Sequence, residues 1–247
     1  TAPFGTWPSP ITPGTITTRT VRLSQVRVDG ADTYWVEQRA SQAGRNVLLR
    51  RGGDGSVGEI LPLTPSDELV DVHTRVHEYG GRAYAVDSGT VVVSHAGDGR
   101  LYRYDVAHPM RGLVPLTIYG DVRHGDLEID TARGLVYAVR EDHRGEGEAV
   151  SSLVAIPLDG SAAREDAPVT TIVAGTDFVT SPTLSPDGAH LAWITWNHPS
   201  MPWQSTTLHV GDLLPDGRIG EQAVVGGGDD AVSEPRWTEE CDLVHIS

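Results

Sequence analysis

The stretch FVTSPTLSPDGAHLAWITW occupies residues 178–196 and decides the fold class. Two strand-sized apolar runs flank the Asp187-Gly188 pair, which suits the positive φ angles of a tight hairpin turn. Residues 207–213 and 222–225 follow as two more short runs that are rich in β-branched residues. The stretch and its continuation therefore predict one unit of four antiparallel strands.

The same unit recurs along the chain, and helical spacing of apolar residues is nearly absent. Further Asp-Gly pairs stand at residues 29–30, 98–99, 159–160 and 216–217. Four strands that repeat roughly every 45–55 residues are typical of β-propeller blades. A β-sandwich also has many short strands and is the alternative, but the regular turns and the similarity between units favour a propeller.

We predict an all-β propeller with four-stranded blades at about residues 20–66, 67–118, 119–175 and 176–228, after a lead-in segment at 1–19. The outer strand of the first blade is expected at residues 59–63 and the inner strand of the second at 74–87. Residues 229–247 start a fifth blade and supply only two of its strands. Because such a pair exposes a strand edge, we interpret the chain as a fragment of a longer, seven-bladed propeller.

The charge balance is acidic, with 34 Asp and Glu against 19 basic residues and a formal net charge of −15. This argues against a nucleic-acid partner, which needs a basic surface. No apolar run approaches the ~20 residues of a membrane span, and no secretory signal is evident. The single cysteine, Cys241, excludes an internal disulfide. We expect a cytoplasmic protein without a membrane partner.

No cofactor or metal site is predicted. Residues 53–58 match a dinucleotide-type glycine pattern, but they lie between two short strands with no helix after them, so a Gly-rich hairpin is the better interpretation. The histidines are scattered without the spacing of metal ligands.

Several motifs, in their order along the chain, resemble those of one family. They are PFGTWPSPI at residues 3–11, VHEYGG at 76–81, REDH at 140–143, SPDG at 185–188, WNHPSMPW at 196–203 and SEPRW at 233–237. Together they resemble bacterial serine peptidases of the prolyl oligopeptidase family, in the acylaminoacyl-peptidase and dipeptidyl-aminopeptidase-like subgroup. The resemblance covers essentially the whole chain. The pattern departs from the family at Asn197 and Gln204, where acids are expected, which weakens any cation-binding role for that loop.

The resemblance implies an N-terminal propeller followed by an α/β-hydrolase domain that carries the catalytic Ser, Asp and His. No Gly-x-Ser-x-Gly nucleophile motif occurs in this chain, so we expect the nucleophile beyond Ser247 and no catalytic residue within it. The expected partners are a peptide or aminoacyl substrate and the hydrolase domain of the same protein. The chain alone is expected to be inactive.

Propeller topology places the connections between blades and the second-to-third-strand loops on one face, so these motifs should converge there. The candidate substrate-binding residues are His77, Glu78, Tyr79, Asn197, His198 and Trp203. The resemblance implies that Glu78 grips the free α-amino group of a peptide through a charge-assisted hydrogen bond.

Four of these candidates also have a structural interpretation. Glu78 could pair with Arg75 or Arg82, and Trp203 could pin its loop to the propeller. His77 could be a hydrogen-bonded structural residue, and Tyr79 could belong to the core. We expect the charged residues 141–144 to be solvated surface or a salt bridge between domains.

Two other functions are compatible with a propeller. A non-enzymatic module for protein–protein binding would lack a downstream nucleophile. A metal-dependent hydrolase such as a lactonase would need several acids around the central channel, and the inner strands offer too few.

Overall fold

A computed structural model of the chain describes Pro3, Gly5, Thr6, Ile11, Thr12, Gly14 and residues 20–166 and 168–247. Of the lead-in motif, Phe4 and residues 7–10 lie outside the described residues. Within residues 20–166 and 168–247, the strands form four four-stranded antiparallel sheets and one two-stranded sheet. The prediction of an all-β chain is confirmed.

The strands of each sheet follow one another along the chain. The first sheet contains β1 (Val21–Asp29), β2 (Asp32–Arg39), β3 (Arg45–Arg51) and β4 (Val57–Glu59). The second contains β5 (Tyr84–Asp87), β6 (Thr90–Ser94), β7 (Leu101–Asp105) and β8 (Val114–Pro115). The third contains β9 (Val122–Asp130), β10 (Leu135–Asp142), β11 (Val150–Pro157) and β12 (Thr170–Val173). The fourth contains β13 (Phe178–Leu184), β14 (His190–Trp196), β15 (Thr207–Leu213) and β16 (Ile219–Gly227), and β17 (Ser233–Trp237) pairs with β18 (Leu243–Ile246).

The sheets are arranged as consecutive propeller blades. Their first strands contact one another in turn, from β1 to β5, β9, β13 and β17, and therefore line a common central channel. The glycines of the five Asp-Gly pairs named above all have positive φ angles, between 56° and 84°, as the hairpin prediction requires. Residues 53–58 lie at the hairpin between β3 and β4, where the Gly55 N–H donates to the carbonyl of Gly52 and no helix follows.

The hydrophobic core lies between neighbouring sheets, in one cluster at each of the four junctions within the described part of the chain. Successive side chains of a middle strand point to opposite faces of its sheet, so each middle strand contributes to two clusters. In β6, Val91 and Val93 pack toward the first sheet and Val92 toward the third. In β14, Trp193 packs toward the third sheet and Ala192 toward the fifth. Because both faces of these strands are buried, they read in the sequence as nearly continuous apolar runs.

Two predicted strands differ from those observed. The inner strand of the second blade begins only at Tyr84, because the preceding segment turns through left-handed conformations at His77 and Glu78. The outer strand of the first blade is Val57–Glu59. Ile60 keeps only a 3.3 Å hydrogen bond from its N–H to the Leu48 carbonyl, and Ile60 and Leu61 pack against the core between the first two sheets.

Asp126 joins three blades around the channel. It lies at a bulge in β9 with a left-handed φ of 49°, and its carboxylate accepts the backbone N–H groups of Arg82 (2.8 Å) and Ser181 (3.0 Å) and the Thr180 hydroxyl. Burial would raise the pKa of the Asp126 carboxyl, but the Arg82 guanidinium, 3.6 Å away, and these hydrogen bonds hold the pKa below its usual value. Asp126 is therefore a buried anion that ties the second, third and fourth blades together.

Candidate functional site

The segment VHEYGG forms a compact turn at the entrance to the second blade. His77 and Glu78 both adopt left-handed φ angles, 56° and 64°, and Gly80 follows at 84°. The Gly80 N–H donates to the Val76 carbonyl at 2.8 Å and closes the turn. A Cβ atom at Gly80 would lie 2.9 Å from the Thr74 carbonyl oxygen, so the turn requires glycine there.

A buried carboxylate of the third blade holds this turn in place. The His77 N–H donates to Oε1 of Glu141 at 2.6 Å, and the Glu141 side chain is only 8% exposed. This charge-assisted bond satisfies a backbone donor in a conformation that is unfavourable for a non-glycine residue. The position of the turn is therefore coupled to the end of β10.

The His77 ring is an aromatic anchor. It contacts Trp196 and Phe178 edge-on, with ring centroids 5.3 Å and 5.7 Å away, and its Nε2 atom is buried with no hydrogen-bond partner. Burial lowers the pKa of His77, although Glu141 and Asp126 act in the opposite direction. The ring is therefore a neutral packing element at neutral pH.

Glu78 projects from the turn into solvent, with its side chain 68% exposed. Its carboxylate binds Arg123 at 2.6 Å and Arg75 at 3.1 Å. Hydrogen bonds from Arg123 and then Arg75 lower the pKa of Glu78, so it is ionised at neutral pH. Of the two arginines that the sequence offered as partners, Arg75 pairs with Glu78, whereas Arg82 binds Asp126 and the Pro182 carbonyl.

Tyr79 and Trp203 are both exposed, at 67% and 69% of their surface. Tyr79 is therefore not a core residue, and it lines a cleft of about 390 Å³ at the mouth of the central channel, together with His77, Arg82 and Asp126.

Trp203 lies on the loop between β14 and β15, where the Gln204 side-chain oxygen accepts a hydrogen bond from the Met201 N–H at 2.9 Å. The Gln204 side chain therefore stabilises the conformation of this loop.

Asn197 and His198 fasten the same loop to the start of the fourth blade. The Asn197 side-chain oxygen accepts the Asp177 N–H at 2.7 Å, and the Asp177 carboxylate accepts the His198 N–H at 2.8 Å. The His198 ring packs edge-on against Phe178, with a centroid distance of 5.0 Å. The Asn197 side chain therefore accepts a hydrogen bond that holds this loop against the start of the fourth blade.

Residues of three motifs meet in a second cleft of about 400 Å³, here called the outer cleft. Its lining residues are His77, Glu78, Glu141, His143, Gly147, Glu148, Ala149, Ser151, Asp177, Phe178 and His198. Of the six predicted residues, His77, Glu78 and His198 line it. Tyr79 lies at the channel instead, and Asn197 and Trp203 line neither of these two clefts.

The acidic character of the outer cleft comes largely from residues that the sequence analysis missed. Glu141 was expected in an exposed charged loop, yet β10 continues to Asp142 and buries it. The sequence carries little signal for this, since the apolar run at residues 135–139 ends before Glu141 and three consecutive charged residues follow it. Asp177 and Glu148 stand in turn and loop sequence and carry no pattern that marks them.

Among the described residues, no group of three or more His, Cys, Asp and Glu side chains is arranged to hold a metal ion. In the same part of the chain, no helix has the length and apolarity of a membrane span.

No family model matches the sequence, and the comparison with curated proteins finds no match. Among solved structures, the crystal structure of a puromycin hydrolase mutant complexed with PGG is 35% identical, with a TM-score of 0.89, and covers 99% of this chain and 38% of that chain. A Mycobacterium tuberculosis puromycin-hydrolyzing peptidase is 36% identical with a TM-score of 0.83 and the same coverage. A putative TolB from Agrobacterium tumefaciens, 15% identical over 87% of this chain and 69% of that chain, has a TM-score of 0.56 and shares the fold alone. The chain thus spans 38% of the length of the puromycin hydrolases that it matches. The four four-stranded sheets and the shared fold of the TolB structure confirm the β-propeller prediction.

Proposed function

Since this chain belongs to the prolyl oligopeptidase family, we propose that it is the N-terminal propeller part of a serine peptidase. The peptidase acts as an aminopeptidase or acylaminoacyl peptidase, with its nucleophile in an α/β-hydrolase domain of the same protein. The propeller limits access to small or unfolded peptides and binds the amino end of the substrate. The proposal includes a cytoplasmic location, for which the single cysteine is the supporting observation.

The observation that carries this proposal is the outer cleft beside the VHEYGG turn. Four carboxylates line it, those of Glu78, Glu141, Glu148 and Asp177. Arg75 and Arg123 are the guanidinium groups paired with these acids among the described residues, so the cleft retains negative charge. A free α-amino group has a pKa near 8 and is cationic at neutral pH, and it forms strong hydrogen bonds with carboxylates.

The names of the related structures point in the same direction. One is named a puromycin hydrolase and another a puromycin-hydrolyzing peptidase, which supports a peptidase. Of the two activities proposed, we infer that the negative charge of the outer cleft favours the aminopeptidase, whose substrates carry a free amino group.

The test compares the full-length protein with the isolated 247-residue chain on aminoacyl p-nitroanilides. The full-length protein should release nitroaniline, and the isolated chain should not. Turnover by a verified preparation of the isolated chain would contradict the placement of the nucleophile. No turnover of any aminoacyl or acylaminoacyl substrate by the full-length protein would contradict the peptidase itself and favour a binding module.

A further inference from the structure

Two of the four acids in the outer cleft already have cationic partners. Arg123 and Arg75 hold the Glu78 carboxylate at 2.6 Å and 3.1 Å. Glu141 accepts the His77 N–H, and its other oxygen lies 3.8 Å from Arg123. The charges of these two glutamates are therefore largely compensated within the protein.

The other two acids have no cationic partner among the described residues. Asp177 accepts a hydrogen bond from the His198 backbone, which fixes its orientation. Glu148 is exposed, and within the described part of the chain it forms neither a hydrogen bond nor an ion pair. Glu148 is thus the carboxylate of the cleft that is most available to an incoming cation.

A buried hydroxyl in the same cleft also lacks a partner. Ser151 is 6% exposed, and its Oγ atom has no hydrogen-bond partner. Ser151 pairs directly with Glu141 across the β10–β11 ladder, so the two side chains lie on the same face of the sheet and both line the cleft. A buried hydroxyl without a partner is costly, and a ligand that donates to it would remove that cost.

We propose that Glu148 and Ser151 are binding residues for the ammonium group of the substrate, alongside Glu78. An ammonium group has three N–H donors, and Glu148, Ser151 and Glu78 offer three acceptors around one cleft. This inference rests on the proposed function, because it assigns further residues to the same amine site. Neither Glu148 nor Ser151 lies in a motif that marks it in the sequence.

The test measures peptide binding to the full-length protein by calorimetry. The probes are the tripeptide Leu-Gly-Gly and its N-acetyl derivative, which differ only in the cationic amino group. The variants are Glu148→Gln and Ser151→Ala. The matched control is Glu146→Gln, since Glu146 lies on the same loop and does not line the cleft.

We expect Glu148→Gln to weaken binding of the free-amine peptide about tenfold and to leave binding of the acetylated peptide unchanged. Glu146→Gln should change either affinity by less than about twofold. Ser151→Ala should weaken free-amine binding by about threefold to tenfold without lowering the melting temperature, because its hydroxyl bonds to nothing in the free protein. A purely structural Ser151 would give the opposite result, a lower melting temperature and unchanged affinity.

The inference is overturned if Glu148→Gln behaves like Glu146→Gln, or if the protein binds both peptides equally. Failure of the proposed function is a separate outcome, since it is read from hydrolysis of aminoacyl p-nitroanilides and not from binding. A protein that hydrolyses these substrates but keeps its amine preference after Glu148→Gln would remain a peptidase, with Glu148 outside the amine site.

Discussion

The backbone N–H of His77 in the second blade donates a 2.6 Å hydrogen bond to Oε1 of Glu141 in the third blade. The two residues are 64 positions apart in the chain. The bond fixes where the turn presents Glu78, because Glu78 directly follows His77. The geometry of the candidate amine site therefore depends on a residue that contacts the turn backbone, not only on the residues of the motif.

Removal of this acceptor should destabilise the protein. Glu141→Ala leaves the His77 N–H without a partner, and we expect a loss of roughly 1–3 kcal/mol in the free energy of unfolding. Glu141→Gln retains an oxygen that can accept the bond and should cost less. Chemical denaturation checks this order, and equal losses for the two variants would show that the charge of Glu141, rather than the hydrogen bond, stabilises the turn.

Glu78 should contribute to affinity for free-amine substrates. In the full-length protein, Glu78→Gln removes a negative charge from the outer cleft, and we expect KM for aminoacyl p-nitroanilides to rise about tenfold with kcat little changed. Substrates with an acetylated amino group serve as the control and should be unaffected. An unchanged KM would remove Glu78 from the site and leave it as the partner of Arg75 and Arg123.

The VHEYGG turn should not tolerate a side chain at Gly80. Gly80 has a φ of 84°, and a Cβ atom would lie 2.9 Å from the Thr74 carbonyl oxygen. Gly80→Ala should cost at least roughly 1–2 kcal/mol from backbone strain alone. Gly145→Ala is the control, because a Cβ atom there meets nothing within 4 Å. Similar melting temperatures for the two variants would mean that the turn can rearrange.

His124 should make stability fall on acidification. Burial, and then the nearby Arg140, lower the pKa of His124 from 6.5 to about 4. As the pH falls below about 6.5, the unfolded chain takes up a proton that the folded protein accepts only near pH 4, so the free energy of unfolding decreases across that interval.

Between pH 7 and pH 5 the contribution of His124 should be about 2 kcal/mol. His77 and His209 also have pKa values lowered by burial, so the measurement is the difference between two slopes. Urea denaturation at several pH values should show a shallower dependence for His124→Gln than for the unchanged protein. Identical slopes would mean that His124 is protonated equally in the folded and unfolded states.

Much of the fold could be predicted because its signals are local. Asp187-Gly188 and the other Asp-Gly pairs define hairpins through the φ angles of adjacent residues, and short apolar runs define the strands between them. The second blade was predicted less well. The segment before β5 resembles a strand in composition, but it forms a left-handed turn at His77 and Glu78. Glu141 stabilises that turn from the third blade, and no local sequence pattern reveals this contact.

The candidate site was only partly predictable for the same reason. The motifs identified His77, Glu78 and His198, which line the outer cleft, but also Asn197 and Trp203, which do not. Which arginine pairs with Glu78 depends on how neighbouring blades pack, and Arg123 of the third blade could not be distinguished from other arginines in the sequence.

By itself, the sequence determined that the chain forms consecutive four-stranded blades, because strand alternation and turn chemistry act between residues close in the chain. The tertiary structure alone decided which charges are compensated. Glu78 and Glu141 meet arginines, whereas Glu148 meets none among the described residues. Electrostatic interactions depend on distances in space, and the distances between blades are set by core packing rather than by separation along the chain.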